Sequence, residues 1–126
     1  MIVTINLKQI PNQPPEIYYG NKEYKITLDY KEKSDTYITK MLQKKASQML
    51  FRLNEGNGKA IYLIGVEDNG TAKGINILNL LKSINHIKKI SKIIECSISK
   101  INIYKGTHGF ISSIRLVKNI ENRLLI

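Results

Sequence analysis

The sequence predicts a two-layer α+β domain, with two helices packed on one face of a mixed or antiparallel sheet. Three observations lead there. Two long segments repeat their apolar residues at three and four, several short runs alternate or are continuously apolar, and the elements follow one another as β-α-β-β-α-β-β. That order is too mixed for a helical bundle and too helical for a sandwich. The size fits one domain: a chain of 126 residues, 42% hydrophobic and 24% charged, buries roughly 65–70% of its surface on folding. Neither a disulfide nor a metal is required to hold it.

Residues 1–21 contain all three prolines, Pro11, Pro14 and Pro15, and read as an extended arm whose first residues, Ile2 to Ile5, have strand character. Residues 22–118 form the domain proper. From Glu23 to Tyr30 the residues Tyr24, Ile26, Leu28 and Tyr30 alternate with Glu23, Lys25, Thr27 and Asp29, which is the pattern of an amphipathic strand. Ser34 or Asp35 can then cap a helix over residues 35–54, with Ile38, Met41, Leu42, Met49, Leu50 and Leu53 on one side, and Gly56 and Gly58 stop it. The apolar run after Lys59, the turn Glu67-Asp68-Asn69-Gly70 and residues 71–75 predict a hairpin, with Asp68 bonding the turn backbone.

A second helix over residues 77–95 places Ile77, Leu80, Leu81, Ile84, Ile87, Ile90 and Ile94 on one face. Its polar side is basic. Lys82, Asn85, Lys89 and Lys92 are spaced three, four and three apart and share one stripe, with Lys88 beside it. Strands over 98–105 and 110–118 follow, joined through Gly106-Thr107-His108-Gly109, and residues 119–126 form a tail.

The net charge of +10, from 20 basic and 10 acidic residues, points toward a polyanionic partner. Composition weakens that inference. The chain holds 22 Ile, 17 Lys and 12 Asn but only 3 Arg, and a bias toward A/T-rich codons produces the same surplus. No apolar run approaches the length of a membrane span, and the N-terminus is too short and polar for a signal-peptide core, so the expected setting is a reducing cytoplasm without membrane attachment. One cysteine, Cys96, and two distant histidines, His86 and His108, lack the spacing of a zinc site, so no metal is expected.

Catalytic patterns fail in the same way. Gly56-Asn57-Gly58-Lys59 suggests a phosphate loop, yet the position six before Lys59 is Leu53, Ala60 follows it, and the glycines leave a helix instead of opening one. Glu67 and Asp68 are adjacent, and neighbours on a strand face opposite ways. No serine stands in a G-x-S-x-G turn, and Cys96 has no thiolate-stabilising neighbours. Neither an enzyme nor a cofactor is expected.

The residues around the turn are specific enough to carry a resemblance. Arg52-Leu53-Asn54-Glu55-Gly56-x-Gly58, Ala60, Tyr62 and Ile64-Gly65-Val66-Glu67-Asp68-Asn69-Gly70 resemble the domain preceding the G domain in the GTP-binding-protein-one and -two family of translational GTPases. Pro14-Pro15-Glu16, Gly20-Asn21-x-Glu23-Tyr24-Lys25, Gln48-Met49-x-x-Arg52-Leu53 and Ile114-Arg115-Leu116-Val117-Lys118 fit the same region. The sequence stops where a G domain would begin and has no Walker-type loop, so GTP hydrolysis is not implied. A small stand-alone protein of this kind also resembles the ribosome dormancy factors of microsporidia. More faintly, the Gly-Val-acid-acid-x-Gly turn is similar to nucleic-acid-binding domains of the Schlafen and AlbA type. The resemblance implies a ribosome-binding protein, monomeric when bound, that sits at the tRNA exit site and blocks translation.

The candidate contacts to rRNA and ribosomal proteins are Lys82, Lys88, Lys89 and Lys92 on the second helix, Lys105 and His108 beside the glycine-flanked loop, Arg115 and Lys118 on the last strand, and Arg123 in the tail. Phosphate contacts of this kind position a protein without reading sequence. Two other readings remain: an interaction module in which the basic stripe and the Asn122-Arg123-Leu124-Leu125-Ile126 tail meet an acidic protein partner, and a small hydrolase or nuclease built on Glu67 and Asp68.

Overall fold

The computed structural model describes residues 2–28 and 34–119. In chain order its elements are β1 (Ile2–Gln9), β2 (Lys22–Lys25), α1 (Asp35–Glu55), β3 (Lys59–Ile64), α2 (Ile77–Ile93), β4 (Cys96–Lys105) and β5 (Phe110–Lys118). The expected class is found: both helices pack on a mixed sheet of five strands, ordered β1-β4-β5-β3-β2. Its centre is antiparallel. β5 pairs with both β3 and β4, while β1 and β2 are added in parallel at the two edges.

Local chemistry accounts for the helices. Ser34 adopts an extended backbone and its hydroxyl accepts a hydrogen bond from Tyr37 N at 3.1 Å, satisfying one of the amides that a helix start leaves unpaired. Asn76 does the same for α2, accepting from Asn79 N at 2.8 Å. The buried sides of the two helices, with Ala46, Met49 and Leu53 from α1 and Leu80, Ile84, Ile87 and Ile90 from α2, meet alternate residues of the sheet, among them Tyr62, Ile64, Ile101, Ile103, Ile114 and Leu116. A smaller cluster, Tyr24, Leu63, Val66, Ala72 and Ile111, lies apart from it and is packed by Ile10 and Ile61.

Four sequence-based expectations are corrected. The predicted hairpin keeps its turn, but residues 71–74 form no strand. Glu67 N donates to Thr71 O and Gly74 N to Gly65 O, after which the returning leg turns to the β4–β5 loop: Thr107 N donates to Ala72 O and His108 N to Lys73 O. The side chain that braces this turn is Asn69, which accepts from Thr71 N at 2.9 Å, instead of Asp68. The strand expected over 23–30 is shorter, because Leu28 leaves the sheet for the helical core, where its amide donates to Ser83 Oγ at 2.9 Å. Residues 29–33 lie outside the described residues.

Third, Ile77 and Leu81 are about half exposed. α2 is in contact with β4 and β5 only through a narrower stripe than the sequence pattern allows, so these two residues flank it. Finally, the N-terminal segment is extended as expected but belongs to the sheet: β1 runs parallel to β4, with Val3 opposite Ile101 and Ile5 opposite Ile103. The segment after it is docked through Gln13 N to Gly70 O, Glu16 N to Asp68 O and Ala72 N to Asn12 Oδ1, each at 2.8–2.9 Å.

Candidate nucleic-acid interface

The nine candidate contacts do not share one surface. Lys82, Lys88, Lys89 and Lys92 project from α2 away from the sheet; Lys82 is half-buried and the other three are exposed. Lys92 also lies in the last helical turn, where a cation complements the partial negative charge of the helix end. Lys105 and His108 are exposed at the β4–β5 loop, where His108 Nδ1 lies 3.0 Å from Thr107 Oγ1. Arg115 is exposed on the opposite side of the molecule, on the sheet face that the helices leave open. Lys118, at the end of β5, is half-buried beside Asn54, Asn57 and Gly58. Arg123 lies outside the described residues.

Arg115 acquires neighbours that sequence reasoning missed. Strand register places it opposite Lys100 on β4 and Ile61 on β3, and Ile61 in turn opposite Lys22 on β2. Side chains of paired residues share a face, so Lys22, Arg115 and Lys100 stand in one transverse row. Lys59 is in the next row, opposite Val117. The only signal within the sequence was a break in alternation at Ser99-Lys100, because pairing is set by register between distant strands.

A second charged site was likewise invisible in sequence. Arg52, on the apolar side of α1, and Glu23, on β2, are 3% and 2% exposed. The guanidinium lies 3.4 Å from Glu23 and 3.9 Å from Glu16, and it donates to the backbone carbonyls of Ile17, Tyr19 and Gly20 at 2.9–3.1 Å. Glu16 also accepts from Tyr24 N, and Tyr24 Oη donates to Pro14 O. Burial first, and then the neighbouring Glu23 carboxylate, push the Glu16 carboxyl above its ordinary range. This cluster clamps the proline-rich segment to the domain. The quoted Arg52 and Gly65-to-Gly70 motifs therefore act structurally: one holds residues 17–20, and the other supplies the backbone groups for Gln13 and Glu16.

Further along α1, burial and the adjacent ammonium of Lys25 pull Lys45 down to about 8. The unfolded chain binds this proton up to its ordinary range near 10.5, so the unfolded state holds more protons between those values and stability rises with pH there. A Lys45→Met variant removes the effect. Its melting temperature relative to the parent is expected to fall progressively from pH 8 to pH 10.5, and a constant difference would contradict this assignment.

Cys96 is buried against Met49, with the two sulfurs 3.9 Å apart, and burial pushes its thiol up to about 11. This is an unreactive environment. Glu67 is half-buried and Asp68 exposed beside the turn. Among the described residues, no group of three or more His, Cys, Asp or Glu is arranged to hold a metal ion, and no helix is long and apolar enough to cross a membrane. Gly56 to Lys59 cap α1 and enter β3, as the spacing test on the apparent phosphate loop predicts.

Fold and surface thus define a small α+β domain with cations on both its helical side and its open sheet face. Over 89 residues, 71% of its length, the chain is 35% identical to GTP-binding protein 2 of Mus musculus and to GTP-binding protein 2 of Homo sapiens. It covers 14% of each of those proteins. No protein-family model matches the chain. No solved structure matches it.

Proposed function

We propose that this protein binds the ribosome as a dormancy factor, occupying the region of the tRNA exit site and blocking translation without catalysis. The observation that carries the reading is the similarity to a segment of GTP-binding protein 2, taken with cations that have no role in the core. A lysine-rich helix and a basic sheet face supply phosphate contacts independent of sequence, and A-form RNA offers mainly backbone and shape to such a surface. Occupancy requires no nucleophile, metal or GTP. With residues 10–20 docked on the domain through Gln13, Glu16 and Asn12, the reading gives the blocking role to the folded body.

The test is co-sedimentation with purified ribosomes, with deacylated tRNA as competitor. Contact with about four to six phosphates gives a log–log salt slope of about −3 to −5. Replacing Lys82, Lys89 and Lys92 by Glu should weaken retention without unfolding the domain, since substitutions away from the core are usually well tolerated. Retention unchanged over a tenfold range of salt, or saturable binding of protein and tRNA together with undiminished translation, overturns the reading.

A further inference from the structure

The open sheet face carries four cations and no acid in its central rows. One row is Lys22, Ile61, Arg115 and Lys100; the next on one side holds Lys59, Val117 and Ser97, and on the other Tyr24, Leu63, Ser113, Asn102 and Thr4, of which Tyr24, Leu63 and Asn102 are buried. Adjacent strands are about 4.8 Å apart, so Lys100 and Arg115 are direct cross-strand neighbours. Like charges so placed destabilise a sheet. Among the described residues, neither Lys100 nor Arg115 stands in the ion pairs of Arg52 with Glu16 and Glu23. A β-bulge contributes to the arrangement. The register shifts between Ile98 and Lys100, and the extra residue turns Lys100 away from the helical side, where Ile98 packs, onto the face of Arg115; bulges re-aim side chains in this way. Beside Arg115 lies a cavity of about 310 Å³, lined by Asn21, Lys59, Ser99 and Val117 among others.

The geometry points to this face as a seat for the phosphate backbone of RNA, with Arg115 and Lys100 gripping adjacent phosphate oxygens and Lys22 and Lys59 flanking them. A guanidinium fork matches phosphate geometry, and the hydroxyl groups of Ser99, Ser113 and Thr4 suit phosphate and 2′-hydroxyl oxygens. The three rows hold no exposed aromatic side chain, so they offer no stacking surface and favour backbone over bases. Protein interfaces are depleted in lysine at their cores, whereas lysine predominates here. The site deepens the ribosome-binding reading and rests on it for which RNA is met.

The probe is a fluorescent 16-base-pair RNA duplex of arbitrary sequence, titrated with the full chain at several salt concentrations, alongside ribosome co-sedimentation. Lys100→Thr with Arg115→Thr is expected to weaken duplex binding tenfold or more and to make the salt slope shallower by about 1.8, the loss of two phosphate contacts. The melting temperature should hold or rise, because the like-charge pair is gone. Lys22→Thr with Lys59→Thr, at exposed positions, provides a second variant with a smaller loss. No duplex binding by the parent chain, affinity in both variants within twofold of the parent, or displacement by polyglutamate as effective as by unlabelled RNA overturns the proposal. A parent chain that binds the duplex through these residues yet does not sediment with ribosomes sustains the site and removes the dormancy reading; ribosome retention with unchanged duplex affinity does the reverse.

Discussion

Replacing Arg52 by alanine is expected to destabilise the domain by about 3–5 kcal/mol, the range for removing one partner of a buried ion pair. The effect is large because one guanidinium serves two carboxylates and three carbonyls at once. Without it, Glu23 is left buried and unpaired beneath α1, next to Glu16, and the carbonyls of Ile17, Tyr19 and Gly20 lose their donor. For a domain of this size the melting temperature should fall by about 10 °C or more. Chemical denaturation reads the loss directly, and limited proteolysis should show cleavage within residues 13–20 before global unfolding. Arg52→Lys keeps the charge but has too few donors in a fixed fork, so it should recover only part of the loss. An alanine variant within about 1 kcal/mol of the parent contradicts the clamp.

The second large effect is expected at Gly74, where two constraints coincide. Its φ of +87° is in a region that L side chains rarely adopt, and an added Cβ would lie 2.5 Å from the carbonyl carbon of Gly109 and 2.8 Å from its oxygen. Both obstacles are backbone and cannot rotate away. Backbone strain of about 1–3 kcal/mol adds to the cost of separating the 72–75 segment from the β4–β5 loop, so Gly74→Ala should cost about 3 kcal/mol or more. Gly20 isolates the first contribution. Its φ is +84°, but the nearest atom to an added Cβ is Ile17 Cδ1 at 3.7 Å, an ordinary contact. Gly20→Ala should therefore cost only about 1 kcal/mol. Equal losses in the two variants, measured by urea denaturation, would show that backbone packing at the motif contributes nothing.

These two sites show where sequence reasoning stopped. Arg52 breaks the apolar side of α1 between Met49 and Leu53, and its sequence neighbours give no indication that Glu23, 29 residues earlier, is its partner. Alternation placed Glu23 on the solvent side of a strand; the buried guanidinium reverses that by making the carboxylate the better-satisfied group inside. Of Gly65, Gly70 and Gly74, only Gly70 was legible as a turn residue; the other two fell within expected strands. The closest neighbours of all three, Phe110, Gln13 and Gly109, were not legible, because those approaches are made between segments distant in sequence.

Elements whose reasons are local were determined by the sequence alone. Ser34 caps α1, Asn76 caps α2, Gly56 and Gly58 end the first helix, and the buried positions Leu80, Ile84, Ile87 and Ile90 follow a helical period that no partner is needed to define. The lysine stripe of α2 follows from that same period, so its position was readable in advance. Pairing is different. The patterns of β1 and β2 do not by themselves select partners, and their parallel places on β4 and β3 come from pairing with strands distant in sequence. The meeting of Lys100 with Arg115 depends further on one bulge residue, since a shift of register by one moves a side chain to the other face. Tertiary structure therefore decided which cations stand together, because their proximity depends on strand register, which local propensity does not encode.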